Sequence, residues 1–215
     1  MTENKIFTME NAISCRYNYA ISLPEGYTKE KQYPILFFLH GAGERGDDPS
    51  VLYVHGPLKK IARGEAFDCI VVAPQCPEGS YWITETQTLK LFMDTICEEY
   101  NVDRKRVYLT GLSMGGFGTW MMGTRYPDYF AAIIPICGGG MPWAAWTMSK
   151  LPIWAFHGTA DTAVAPHCSV EMVEAVNIDG GIAKLTMYEG VGHDCWTETY
   201  DNPEVWQWLF SQKKA

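Results

Sequence analysis

The sequence predicts an α/β fold: a mostly parallel, doubly wound sheet with antiparallel strands at its N-terminal edge, helices on both faces, no large cap, and a single domain over residues 1–215. Three observations carry this. Short apolar runs bounded by Gly or Pro recur along the chain, as strands covered on both faces require. They alternate at least five times with segments whose apolar residues fall three and four apart. A length of 215 residues suits one α/β core and leaves little room for a second domain.

Taken in order, residues 12–23 alternate polar and apolar (Ile13, Cys15, Tyr17, Tyr19, Ile21) until Pro24-Glu25-Gly26-Tyr27, the period of a half-exposed edge strand. The character then changes. Residues 35–39, 69–73, 106–110, 131–136 and 153–156 are short apolar runs, and 184–188 supplies a last strand. Helical spacing is clearest over 89–100, where Leu89, Phe92, Met93, Ile96 and Cys97 share one face, and returns at 170–176 and 203–210. Right-handed crossovers follow from parallel strands joined by helices. Pro142-Trp143-Ala144-Ala145-Trp146, after Gly138-Gly139-Gly140, reads as a small loop over a site.

Composition excludes several functions. Apolar residues make up 47% of the chain and aromatic residues 13%, so it folds. Lys plus Arg number 17 against 25 for Asp plus Glu, a net charge of −8, and no basic stripe is present to meet phosphates; nucleic acid is not an expected partner. Seven scattered cysteines without C-x-x-C spacing indicate neither a zinc ribbon nor a full disulfide framework, but free and mostly buried thiols. The N-terminus lacks a basic segment followed by an apolar run, and no apolar stretch reaches the ~18 residues of a span. The expectation is a cytoplasmic protein without membrane contact; a secreted chain shorn of its signal peptide would read the same way. Nothing in the sequence fixes an oligomeric state.

The most specific motif is Gly111-Leu112-Ser113-Met114-Gly115, between the strand at 106–110 and a helix expected from about 114 to 125. A reversal from strand to helix lifts its central side chain above the sheet in strained geometry, and glycines two positions either side remove colliding side chains. Serine is a poor nucleophile without a base and a group to orient that base. Asp161, in His157-Gly158-Thr159-Ala160-Asp161, lies just past a strand end on the same edge, and His193 follows Gly190-Val191-Gly192 after the last strand. The chain order Ser113, Asp161, His193 is that of one lineage of triad enzymes.

Other candidates compete poorly. His40 and His157 end strands next to glycine and read as structural hydrogen-bonding residues, while His55 and His167 precede the final strand. Asp194 is too close to His193 to curl back onto its ring, and Asp103 and Asp128 look like turn or cap residues. The negative charge of a reacting carbonyl needs donors. The backbone N–H of Met114 is one, and the other comes from His40-Gly41-Ala42-Gly43, with Ala42 preferred and Gly43 second.

These motifs, with Leu23-Pro24-Glu25-Gly26-Tyr27, Leu39-His40-Gly41-Ala42-Gly43-Glu44-Arg45-Gly46, Ala73-Pro74-Gln75-Cys76-Pro77 and His193-Asp194-Cys195-Trp196, make most of the chain resemble the serine esterases of the α/β-hydrolase superfamily. The nearest branch is the predicted-peptidase or feruloyl- and acetyl-esterase-like one related to polyhydroxybutyrate depolymerases. The resemblance implies a catalytic triad of Ser113, Asp161 and His193, acting on a small acyl ester or an acetyl or feruloyl ester of a plant polysaccharide. Such chemistry calls for no metal and no organic cofactor. A peptidase or thioesterase with the same triad is the alternative, and a non-catalytic carbohydrate-binding relative the more distant one. Trp82, Trp143, Trp146 and Trp196 all follow strand ends, and their flat faces are candidates for contact with a sugar or phenolic group. Glu44 and Arg45 are expected to pair with each other or to brace the loop that carries the second donor.

Overall fold

A computed structural model describes residues 15–178 and 180–214. Among these residues seven strands form one sheet in the order β1-β3-β2-β4-β5-β6-β7: β1 (Tyr19–Ser22), β2 (Tyr33–Leu39), β3 (Ile70–Pro74), β4 (Val102–Leu112), β5 (Ala132–Ile136), β6 (Trp154–Gly158) and β7 (Lys184–Tyr188). Among the described residues only β1 runs antiparallel, pairing Tyr19 with Pro74 through Ser22 with Val71. The expected strand over 12–23 is thus realised where β3 offers a partner, and positions 12–14 lie outside the described residues.

Alternate residues of each strand feed two cores. Ile35, Phe37 and Leu39 of β2 and Val107 and Leu109 of β4 pack with Leu89, Met93 and Ile96 of α2 (Thr86–Glu99), Trp120 and Met122 of α3 (Met114–Arg125), and Met172 and Val176 of α4 (His167–Ile178). Leu36, Phe38 and Tyr108 face the other way, against Leu58 of α1 (Gly56–Ala62), Tyr200 of α5 (Trp196–Asp201), and Val205 and Leu209 of α6 (Pro203–Ser211). Each such apolar side chain contributes about 1.5–3 kcal/mol on burial, which makes a central strand facing both cores hard to displace. Helices α1 and α5 escape the periodicity reading because seven and six residues are too few to display it.

The sheet order places the site. From β2 the chain steps to β3 on one side and then crosses to β4 on the other, with Leu39 beside Gly111 in register. The carboxyl ends of β2 and β4 therefore meet at the point where the winding reverses, the crevice in which open α/β sheets bind ligands. The cysteines are all free: Cys69, Cys76, Cys97, Cys137 and Cys195 are buried, and Cys15 is exposed. Among the described residues no helix is long and apolar enough to cross a membrane.

Candidate active site

Ser113 sits between the end of β4 and the start of α3 with φ 53° and ψ −118°, a left-handed conformation that L side chains rarely adopt. Its N–H donates to Ile136 O at 3.0 Å and to the Cys137 thiol at 3.2 Å, and its carbonyl accepts from Phe117 N at 3.0 Å. The flanking glycines are sterically required. A Cβ on Gly115 would overlap the Leu39 carbonyl, and one on Gly111 would strike the Gly115 carbonyl. Helix and strands approach too closely for any side chain there.

The three polar residues anticipated from the sequence come together. His193 Nε2 accepts from Ser113 Oγ at 2.9 Å, and its Nδ1–H donates to Asp161 Oδ2 at 2.7 Å. The His193 loop is held against the Asp161 loop by backbone bonds from Thr159 N to Tyr188 O and Ala160 N to Val191 O, both 2.9 Å. Gly158 allows this approach, since a Cβ there would collide with the Val191 and Gly192 carbonyls. Asp194 accepts from Thr197 N and Thr197 Oγ1, so it is engaged by the first turn of α5 rather than by the imidazole.

Asp161 is fixed from every side. Its Oδ1 accepts from Ala163 N at 2.8 Å and Val164 N at 2.9 Å, while Oδ2 receives His193 and, at 3.2 Å, His157 Nε2. Burial raises the pKa of this carboxyl, but the bond from His193, the two amides and the charge interaction with His193 outweigh it, and the net shift is downward. The carboxylate stays ionised. His157, structural as anticipated, thereby turns out to brace the carboxylate itself, a role visible only once β6 and its following turn are folded.

The loop after β2 forms the opposite wall. Ala42 opens a 3-10 turn, Ala42–Glu44, and the N–H of Met114, first in α3, has no acceptor within its own helix. His40 is buried, with Nδ1–H donating to Gly41 O at 2.6 Å and Nε2 accepting from Cys76 N at 2.9 Å. Burial pushes its pKa down to about 4, so it is a neutral strut. Gln75 Nε2 donates to Glu44 O and Asp48 O, and Arg45 Nε to Ala42 O. Arg45 braces the loop as expected, but it forms no ion pair with Glu44 among the described residues; its guanidinium lies 4.9 Å over the Tyr81 ring instead.

The tryptophans divide. Trp82 is not available to a substrate: it is fully buried, donates from Nε1 to His40 O at 3.0 Å and packs under Gly118, so it supports the loop from below. Trp146 does not reach the site either, contrary to expectation. It lines a groove with Ala131, Pro152 and Lys214, at the amino ends of β5 and β6, the edge opposite Ser113. The 3-10 segment Pro142–Met148 packs against α3 and α4, and Trp143 on it is 78% exposed. Trp196 does meet the site, edge-on to the His193 ring with centroids 5.3 Å apart. Beside Met114 an apolar cleft of about 320 Å3 is lined by Tyr81, Ile83, Met114 and Phe117, a wall that sequence spacing did not reveal because its residues come from two separate segments.

Cys137, Asp161 and His193 are, among the described residues, the one group of three with candidate metal-ligand atoms within 4.8 Å of one another. Asp161 and His193 are bonded to each other, and burial drives the Cys137 pKa far up, with the nearby Cys195 adding to the effect. A metal held there would have to break the Asp161–His193 bond.

Residues 84–205 match the family model described as the dienelactone hydrolase family. The chain is 34% identical over 133 residues to a bifunctional acetylxylan esterase/xylanase of Neocallimastix patriciarum, covering 60% of this chain and 19% of that protein. It is 32% identical over 139 residues to poly(3-hydroxyalkanoate) depolymerase C of Paucimonas lemoignei, covering 50% of this chain and 31% of that one. The chain thus spans less than a third of either relative. A crystal structure of a thermostable esterase superposes with a TM-score of 0.80 at 34% identity, over 91% of this chain and 59% of that one.

Proposed function

The chain belongs to the dienelactone hydrolase family, of α/β-hydrolase fold, and from that premise we propose that it is a serine carboxylesterase whose nucleophile, base and orienting carboxylate are Ser113, His193 and Asp161. The observation that carries this reading is the unbroken line from Ser113 Oγ through both ring nitrogens of His193 to Asp161, at 2.9 and 2.7 Å, built on a left-handed elbow residue.

In the reaction, His193 Nε2 takes the serine proton as Oγ attacks the ester carbonyl. Asp161 accepts the Nδ1–H bond throughout, which fixes the tautomer and stabilises the imidazolium. The N–H groups of Met114 and Ala42 receive the charge that develops on the carbonyl oxygen, and a single such donor contributes on the order of 3 kcal/mol. His193 then gives its proton to the departing alcohol, and water, activated by the same imidazole, releases the acid. The acyl group occupies the apolar cleft of Tyr81, Ile83, Met114 and Phe117, whose lining suits a flat or aliphatic group. Support for a carbohydrate ester comes from the acetylxylan esterase relative, and acetyl or feruloyl esters of plant polysaccharides are the proposed substrate class.

Labelling with a fluorophosphonate tests the assignment. Adduct is expected on Ser113 alone, and Ser113→Ala is expected to abolish turnover of p-nitrophenyl acetate; an adduct elsewhere, or equal turnover, rejects it. Acetyl, feruloyl, thioester and peptide substrates compared on one preparation separate an esterase from the alternatives.

A further inference from the structure

The two walls of the apolar cleft are held in different ways. Met114 and Phe117 stand on α3, a helix packed into the core through Trp120 and Met122. Tyr81 and Ile83 stand on the connection between β3 and α2 and are 50% and 45% exposed. That connection is anchored from beneath: Trp82 is buried against His40, and Glu85 accepts from Tyr17 Oη at 2.6 Å and from Ser80 Oγ. These anchors fix the backbone on either side of Tyr81 and leave its ring half exposed.

Arg45 meets that ring from the other side. Its guanidinium lies 4.9 Å over the Tyr81 face, and Nη1 donates to the Ser80 carbonyl at 3.3 Å, so the ring and the peptide leading into it share one partner. From the same group Nε donates to Ala42 O at 3.0 Å. This pins the peptide plane after Ala42, while the plane before it, which carries the Ala42 N–H, is pinned by the bond from His40 Nδ1 to Gly41 O at 2.6 Å. One planar, permanently charged side chain thus joins the turn assigned the second oxyanion donor to the wall assigned the acyl group. Lysine cannot copy this, since its ammonium has neither the plane nor the fork.

We propose that Arg45 is a positioning residue that sets acyl specificity: by holding Tyr81 in one frame with the oxyanion turn, it makes the site select larger acyl groups over acetyl. Acetyl offers one methyl to a cleft of about 320 Å3, whereas butyryl brings two further methylenes of apolar surface to bury there. The inference rests on the assignment of Ser113 and of the cleft above, and extends it from the ester bond to the size of the acyl half.

The probes are p-nitrophenyl acetate and p-nitrophenyl butyrate, read as the ratio of their kcat/KM values. In the parent the butyrate is expected to be favoured about tenfold, the gain from burying its extra methylenes. Arg45→Lys should cut that ratio about fivefold, mainly by raising KM for the butyrate, and Arg45→Gln, which removes the charge, should do the same. Tyr81→Phe keeps the ring face and should keep the ratio. In a Tyr81→Ala background Arg45→Lys should change the ratio no further, because its effect passes through that ring. A brace for the oxyanion turn alone would lower both esters in parallel, so an intact ratio in Arg45→Lys overturns the proposal. A parent indifferent to the acyl group, a ratio lost in Tyr81→Phe, or losses that multiply in the double variant overturn it equally. Ser113→Ala should be inert on both esters; turnover at the parent's rate overturns the reading of the whole site and this inference with it, whereas an intact Arg45→Lys ratio beside an inert Ser113→Ala overturns the role of Arg45 alone.

Discussion

His193 and His157 both bond the same oxygen of Asp161, at 2.7 and 3.2 Å, yet they stand at opposite ends of usefulness. His193 is 27% exposed and its second nitrogen faces Ser113 Oγ; His157 is fully buried, with Nδ1 2.7 Å from Ser169 Oγ and Nε2 also 3.0 Å from Val164 O. One imidazole faces the Ser113 hydroxyl and the other is turned wholly into the core. On the proposed mechanism the contrast separates moving a proton from holding a carboxylate, and it locates the difference in the destination of the far ring nitrogen rather than in residue type.

The sharpest way to break that division is to remove each ring. His193→Ala is expected to lower kcat on p-nitrophenyl acetate by about 10^4 or more, since nucleophile and base act as a unit, while thermal unfolding shifts little because the side chain is partly solvated. Retained turnover would mean that His157 or water serves as base, and the contrast would fail.

A third histidine extends the comparison from rate to stability. Native His40 keeps its neutral form down to about pH 4, whereas an unfolded imidazole titrates near 6.5. Between these values the unfolded chain binds a proton that the native state refuses, so stability is full above pH 6.5 and declines as pH falls toward 4. The decline amounts to about 3 kcal/mol. Urea midpoints at pH 7 and 4.5 should differ less in His40→Gln than in the parent; an unchanged acid slope would assign the loss to other groups.

His157→Ala should have a smaller effect on rate than His193→Ala. Asp161 keeps both amide donors and His193, so a fall in kcat of about tenfold through misorientation is expected, together with about 1–3 kcal/mol of stability for the polar groups left unpaired. A loss comparable to that of His193→Ala would show that bracing and proton transfer are not separable here.

How far the sequence foretold this arrangement follows from the same distinction. The Ser113 elbow was legible because its cause is local: two glycines at fixed spacing, a strand before and a helix after, with α3 beginning at Met114 as expected. Asp161 and His193 were legible by chain order and by their place after strand ends. The struts were not. That His157 reaches Asp161, that Trp82 lies beneath His40, and that Trp146 belongs to the far edge all depend on how segments distant along the chain pack. Following a strand end fixes neither the depth nor the direction of a side chain.

Ser169 offers the finest test of the contrast, because it touches only the saturated histidine. It is buried on α4, lies 2.7 Å from His157 Nδ1 and donates from Oγ to Gly138 O at 3.0 Å. Ser169→Ala leaves a ring nitrogen and a carbonyl without partners in a dry core, for which about 1–2 kcal/mol of destabilisation is expected in a urea titration. His157 still holds Val164 O and Asp161 through Nε2, so the ring has reason to stay in place and kcat should fall only about two- to threefold, within a residual misalignment well under 1 Å. KM should not move, because Ser169 does not line the apolar cleft beside Met114. If kcat instead fell as far as in His157→Ala, the orientation of Asp161 would have to be controlled from α4, one residue further from the chemistry than the two imidazoles that share its oxygen.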